Sequence, residues 1–148
     1  MNSVDEILDF AIDREQEASD FYTDLSGRAT SPWLRGVLDD FSKEELRHKG
    51  KLLSVKKGEK LLSPDQPVMD LKISDYLVEV DATPDISFQD ALIVAMKREK
   101  AAYRLYSDLA GKVQDAEIKK LFEGLALEEA KHKLYFETQY DEQVLKDN

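Results

Sequence analysis

The chain has 148 residues, enough for one domain with a sizeable core. Charged residues make up 35% of it and the formal net charge is −10, which argues against a phosphate-binding surface and so against nucleic acid as a partner. There is no cysteine, and disulfides, thiolate zinc sites, iron–sulfur centres and thiol nucleophiles are excluded with it.

The N-terminus, Met1 to Glu6, has neither a basic n-region nor an apolar h-region. No later run approaches the roughly 18 apolar residues of a membrane span, so a cytoplasmic location away from membranes is the expectation. Ser3 with Glu6 reads as a capping box, and Val4, Leu8, Ala11, Ala18, Tyr22 and Leu25 follow at helical intervals, predicting a helix over 4–27. Gly27 to Thr30 interrupts the pattern. Ser31-Pro32 restarts it with an N-cap and a proline at the first helical position, and a second helix runs to about Lys57, stopped by Gly58. Leu34, Leu38, Phe41, Leu52 and Val55 mark its buried stripe.

Residues 58–87 carry Pro64, Pro67 and Pro84 and read as a crossover with a short helix near Ser74–Val78. A helix of this size is about 38 Å long, and such a segment can traverse it, which suits a connection between parallel neighbours. Ser87 or Asp85 caps a third helix over 88–111, with Leu92, Ala95, Ala102, Tyr106 and Leu109 inside. A fourth begins after Asp115, carries Ile118, Phe122, Leu125 and Phe136 inward, and runs to about Tyr140, with a fraying acidic tail from Asp141. Trp33, Tyr135 and Phe136 suit core or subunit contacts.

Positions 15 and 99, 45 and 129, and 48 and 132 are separated by one and the same interval, so 11–57 and 95–141 are two ungapped copies of one unit. The recurring set is Glu15, Glu45 and His48 in the first copy and Glu99, Glu129 and His132 in the second. All six fall where the apolar stripe calls for a hydrophobe, which turns four carboxylates and two imidazoles into the core. Four carboxylates in one dry interior repel unless something cationic neutralises them, and two divalent ions match their charge. Carboxylate with imidazole suits iron, manganese or zinc better than calcium or magnesium, and Glu and His at i and i+3 can chelate one ion.

A single Glu-x-x-His on a charged helix is usually a solvated face. Here both histidines of the chain lie in the motif and on the seam. The set matches the general ferritin-like di-iron pattern of one Glu from each of two helices and Glu-x-x-His from each of the others. Neither His heads a His-Glu-x-x-His run, which leaves a zinc peptidase with little support. Tyr22 and Tyr106 are candidates to hydrogen-bond a ligand carboxylate, against an ordinary buried tyrosine. Glu44 and Glu128 either orient an imidazole or form a solvated face.

The chain resembles the rubrerythrin group of the ferritin-like superfamily over nearly its whole length. The resemblance is carried by Ala11 to Ala18 with Phe21-Tyr22, Glu45 to His48, Met96 to Glu99 with Ala102 and Tyr106, and Glu129 to His132. It implies an all-α four-helix bundle with two irons at its centre. Glu45 and Glu129 would bridge them, Glu15 and His48 would bind one, and Glu99 and His132 the other. It also implies reduction of peroxide, sometimes dioxygen, with electrons from a reduced partner. Two departures stand out. Rubrerythrins proper carry a four-cysteine rubredoxin-like module, so the donor expected here is a separate protein such as a rubredoxin. They also carry a Glu where this chain has Ala102, which leaves a symmetric six-ligand set like that of bacterioferritin-type centres. Ferroxidase or iron-storage activity, and metal binding without turnover, are the alternative readings. The long crossover permits exchange of hairpins between chains, and a homodimer, swapped or not, is the expected assembly.

Overall fold

A computed structural model describes residues 2–58, 68–78 and 86–147, and these form an all-α four-helix bundle. Its helices are α1 (Val4–Arg28), α2 (Pro32–Gly58), α3 (Phe88–Lys112) and α4 (Ala116–Asp147). Each starts where its capping chemistry lies. The Ser3 side chain accepts the Glu6 amide while Glu6 reaches back to Ser3, closing the capping box. Ser31 accepts the Leu34 amide at 3.3 Å, Ser87 accepts that of Asp90 at 3.0 Å, and Asp115 accepts those of Glu117 and Ile118. Of the two caps expected for α3, it is Ser87 that serves.

Helix directions follow from contacts. Gln16 meets Lys49 and Asp9 meets Lys56, so α1 and α2 form an antiparallel hairpin. Tyr22 meets Glu99 while Tyr106 meets Glu15, which makes α1 and α3 antiparallel, and Glu44–His132 with His48–Glu128 does the same for α2 and α4. It follows that α2 and α3 run parallel, as the long connection requires. They are not the neighbours the sequence suggested: each packs on α1 or α4, and they face one another across the diagonal.

Two further expectations change. The short helix near Ser74–Val78 is a single 3₁₀ turn, Ile73–Tyr76, that buries Tyr76. Most of the crossover 58–87, including its three prolines, lies outside the described residues. The tail from Asp141 does not fray but continues α4 to Asp147, because no glycine or proline follows Tyr140 and Glu142, Gln143 and Leu145 favour helix. A two-residue antiparallel ladder between β1 (Asn2–Ser3) and β2 (Val68–Met69) ties the crossover to the start of α1.

The core is split. One apolar block contains Leu8, Ala11, Leu52, Leu109, Phe122 and Leu125, and the other Tyr22, Leu25, Leu38, Leu92, Ala95 and Phe136. Along every helix the candidate ligands lie between these blocks, so a polar layer crosses the bundle at mid-height. Phe41 and Tyr135 are half-buried at its edge, whereas Trp33 is 75% exposed and contributes nothing to the core. Among the described residues no helix is long and apolar enough to cross a membrane.

Candidate metal centre

Every one of the six candidate ligands is at most 3% exposed. Their donor atoms form two groups, Glu15, Glu45, His48 and Glu129 in one and Glu45, Glu99, Glu129 and His132 in the other, with the atoms of each within 4.8 Å of one another. Glu45 and Glu129 belong to both. His48 Nδ1 lies 3.0 Å from Glu129, 3.5 Å from Glu15 and 3.6 Å from Glu45. His132 Nδ1 repeats this at 3.1 Å from Glu45, 3.7 Å from Glu99 and 3.8 Å from Glu129. The two sets interchange when the hairpins are exchanged.

Around this layer the contacts cross from one hairpin to the other. The Tyr22 hydroxyl donates to Glu99 and that of Tyr106 to Glu15, so each tyrosine serves the opposite copy's carboxylate rather than the one on its own helix. Glu44 pairs with Nε2 of His132 and Glu128 with Nε2 of His48. These contacts turn each ring so that Nδ1 faces the layer. Sequence spacing places Glu44 and Glu128 one turn before a histidine, but the histidine each reaches belongs to the other hairpin, which spacing within one helix does not reveal.

The electrostatics state the same problem in charge. Burial, then repulsion from Glu99 and Glu15, pushes the Glu45 carboxyl well above the usual range, and Glu129 is raised by burial and by Glu99, Glu45 and Glu15. Burial opposes a charge on His48, yet the adjoining carboxylates of Glu129 and Glu15 outweigh it and lift the imidazole to about 10. His132 is also raised, by Glu99 and Glu44 against burial. Both phenols are held well above their normal value, first by burial and then by the nearby carboxylates.

A pair of divalent ions fits this layer. Seven buried side-chain polar atoms have no hydrogen-bond partner among the described residues; six are one atom from each of Glu15, Glu45, His48, Glu99, Glu129 and His132, and the seventh is the Tyr135 hydroxyl. Buried polar atoms without partners are costly, so six of them converging from four helices constitute a donor set awaiting acceptors of its electron pairs. Four carboxylates balance two doubly charged cations, and the oxygen and imidazole donors suit first-row transition metals.

A cavity of about 60 Å³ reaches the layer between α1 and α3. Glu15, Glu45, Glu99 and Glu129 line it, as do Ala18 of α1 and Ala102 of α3, and Arg14, Glu17 and Arg98 complete its charged lining. Tyr76 and Val78 of the crossover also line it, a contribution invisible to helical periodicity. Ala102, expected inside, is only half-buried because it borders this opening.

No curated protein matches the chain. A solved structure of a hypothetical protein from Pyrococcus furiosus shares the fold, with a TM-score of 0.73 and 24% identity over 94% of this chain and 89% of that one. The sequence model of the Rubrerythrin family matches residues 6–140, a span that covers most of all four helices and every candidate ligand, and the chain belongs to the rubrerythrin family.

Proposed function

We propose that the protein is a di-iron oxidoreductase that reduces hydrogen peroxide with electrons from a separate donor protein. The observation that carries this reading is the sharing of Glu45 and Glu129 by two ligand groups whose carboxylates line a cavity. Glu15 and His48 would complete one ion's ligands, and Glu99 and His132 the other's. When bound there, two iron(II) ions supply the two electrons needed to cleave one O–O bond of hydrogen peroxide to water.

The chain's own residues prepare that chemistry. Tyr22 and Tyr106 stay protonated, since their raised values keep the phenol neutral, and their hydroxyls fix the terminal carboxylates Glu99 and Glu15. Glu44 and Glu128 hold Nε2 of each imidazole and leave Nδ1 for a metal. The apolar blocks on either side of the layer keep bulk water from the carboxylates. Membership of the rubrerythrin family supports peroxide reduction above ferroxidase activity. A cysteine-free chain supports an external donor. A homodimer, with or without exchanged hairpins, belongs to the same reading, and light scattering that finds only monomer would count against it.

The test is rapid mixing of anaerobically iron(II)-loaded protein with hydrogen peroxide and with dioxygen, following iron oxidation by absorbance. Peroxide should oxidise the protein faster at equal concentration. Equal or slower oxidation by peroxide would replace this reading with the ferroxidase one.

A further inference from the structure

The cavity above the layer is more apolar than hydrogen peroxide requires. Four carboxylates of the layer line it, but so do Phe10, Ala18, Val78, Ala101, Ala102 and Leu105. Hydrogen peroxide hydrogen-bonds from both ends and gains nothing from such walls; burying a hydroxyl against alkyl groups costs free energy. A molecule with one hydroperoxide end and one alkyl end satisfies both regions, the head at the polar layer and the tail along the alanines and leucine. The size is restrictive. An apolar cavity of roughly 150 Å³ holds a benzene ring, and this one, at about 60 Å³, favours a short unbranched chain over an aromatic group.

We infer that the substrate class of this centre includes short-chain alkyl hydroperoxides, bound with the alkyl group in the slot between Ala18 and Ala102. The inference rests on the peroxide-reducing reading above. In the reaction the O–O bond of R–O–O–H breaks. Two electrons, from iron(II) in the loaded centre and replenished by a one-electron donor protein, and two protons from solvent convert the halves to R–OH and H₂O. The slot adds selectivity by chain length: each methylene that enters it raises affinity about fourfold, the factor that corresponds to burying one CH₂ group.

Two experiments test this. In the first, zinc-loaded protein, which cannot turn over, is mixed with ethyl hydroperoxide, and saturation transfer from protein methyl groups to the ligand's ethyl protons is recorded. Transfer is expected for the native protein and lost in Ala102→Leu, which fills the slot from α3, and in Ala18→Leu, which fills it from α1. In the second, the iron(II)-loaded protein is mixed with hydrogen peroxide and with methyl, ethyl and cumene hydroperoxides. The rate constant should rise about fourfold from methyl to ethyl and collapse for cumene hydroperoxide, and the ethyl-to-hydrogen-peroxide ratio should fall in both leucine variants. Oxidation by hydrogen peroxide with no chain-length dependence, or a ratio unchanged by both variants, overturns the alkyl inference and leaves the peroxide reading intact. Failure of hydrogen peroxide itself to oxidise the iron overturns both.

Discussion

In the first hairpin Ser42 sits at the seam, its hydroxyl donating to the Ser19 carbonyl at 2.9 Å and meeting the Ser19 and Thr23 hydroxyls at 2.8 Å each. At the equivalent positions the second hairpin has Ala126, Tyr103 and Ser107, and the buried alanine simply packs in the apolar core. Phe41 stacks on the His132 ring at 4.0 Å, whereas the position equivalent to Phe41 is Leu125, so His48 has no such partner from that site. Yet the contacts of Glu15 with Tyr106 and of Glu99 with Tyr22 interchange, as do those of the two histidines with Glu128 and Glu44. The two regions satisfy different physical demands. A helix seam only has to be filled and its polar atoms paired, and several side-chain sets do that. A layer of four carboxylates and two imidazoles has few solutions, and both copies keep the same one.

The sharpest way to break the symmetry of the layer is to remove a shared carboxylate. Glu129→Ala and Glu45→Ala should each weaken both ions, whereas His132→Ala should chiefly weaken one. Chelator competition under anaerobic conditions measures this, and similar small losses for all three variants would remove the bridging assignment. Next in size is the effect of pH on the metal-free protein. Folded Glu45 and Glu129 hold protons that the unfolded chain releases above its ordinary carboxyl value of 4.5, and folded His48 keeps its proton from 6.5 up to about 10. Both contributions are present at low pH and lost as pH rises, so the metal-free protein should be less stable to urea at about pH 9 than at about pH 6. Bound metal displaces those protons and should flatten the dependence. Equal stability of the metal-free protein at both values would mean that the carboxylates are not clustered.

Glu44→Ala and Glu128→Ala address the outer partners, whose loss typically lowers metal affinity roughly 10–100-fold. Because Phe41 also holds the His132 ring, Glu44→Ala should cost less than Glu128→Ala. A Phe41→Leu background, which copies the second hairpin, should make the two costs equal; an unchanged difference would deny the stack any part in placing the ring. Tyr22→Phe and Tyr106→Phe each remove one buried hydrogen bond to a carboxylate and should destabilise the metal-free protein by about 1–3 kcal/mol, alike within error. Ser42→Ala copies Ala126 of the second hairpin and should cost the least, about 1 kcal/mol in urea unfolding, since the hydroxyls of Ser19 and Thr23 lose a shared partner.

Much of this architecture is legible in one dimension because its determinants are local or periodic. The stripe from Leu8 through Glu15 to Leu25 defines a helix and shows that a carboxylate occupies a core position, and caps at Ser3, Ser31, Ser87 and Asp115 mark the starts. The repeat interval then forces the six ligands into one layer, because equal spacing gives equal depth. What the tertiary structure alone decided is which helix meets which. Spacing along α2 could not say whether Glu44 faces solvent or His132, because the answer depends on α4 lying beside α2 and running the opposite way. The same holds for Tyr22, which serves Glu99 rather than Glu15, and for α2 and α3, parallel but diagonal. The cavity between Ala18 and Ala102 is likewise a property of the gap between helices rather than of either one. Periodicity within a helix determines which side chains turn inward; their partners there are determined by the packing of four helices at once.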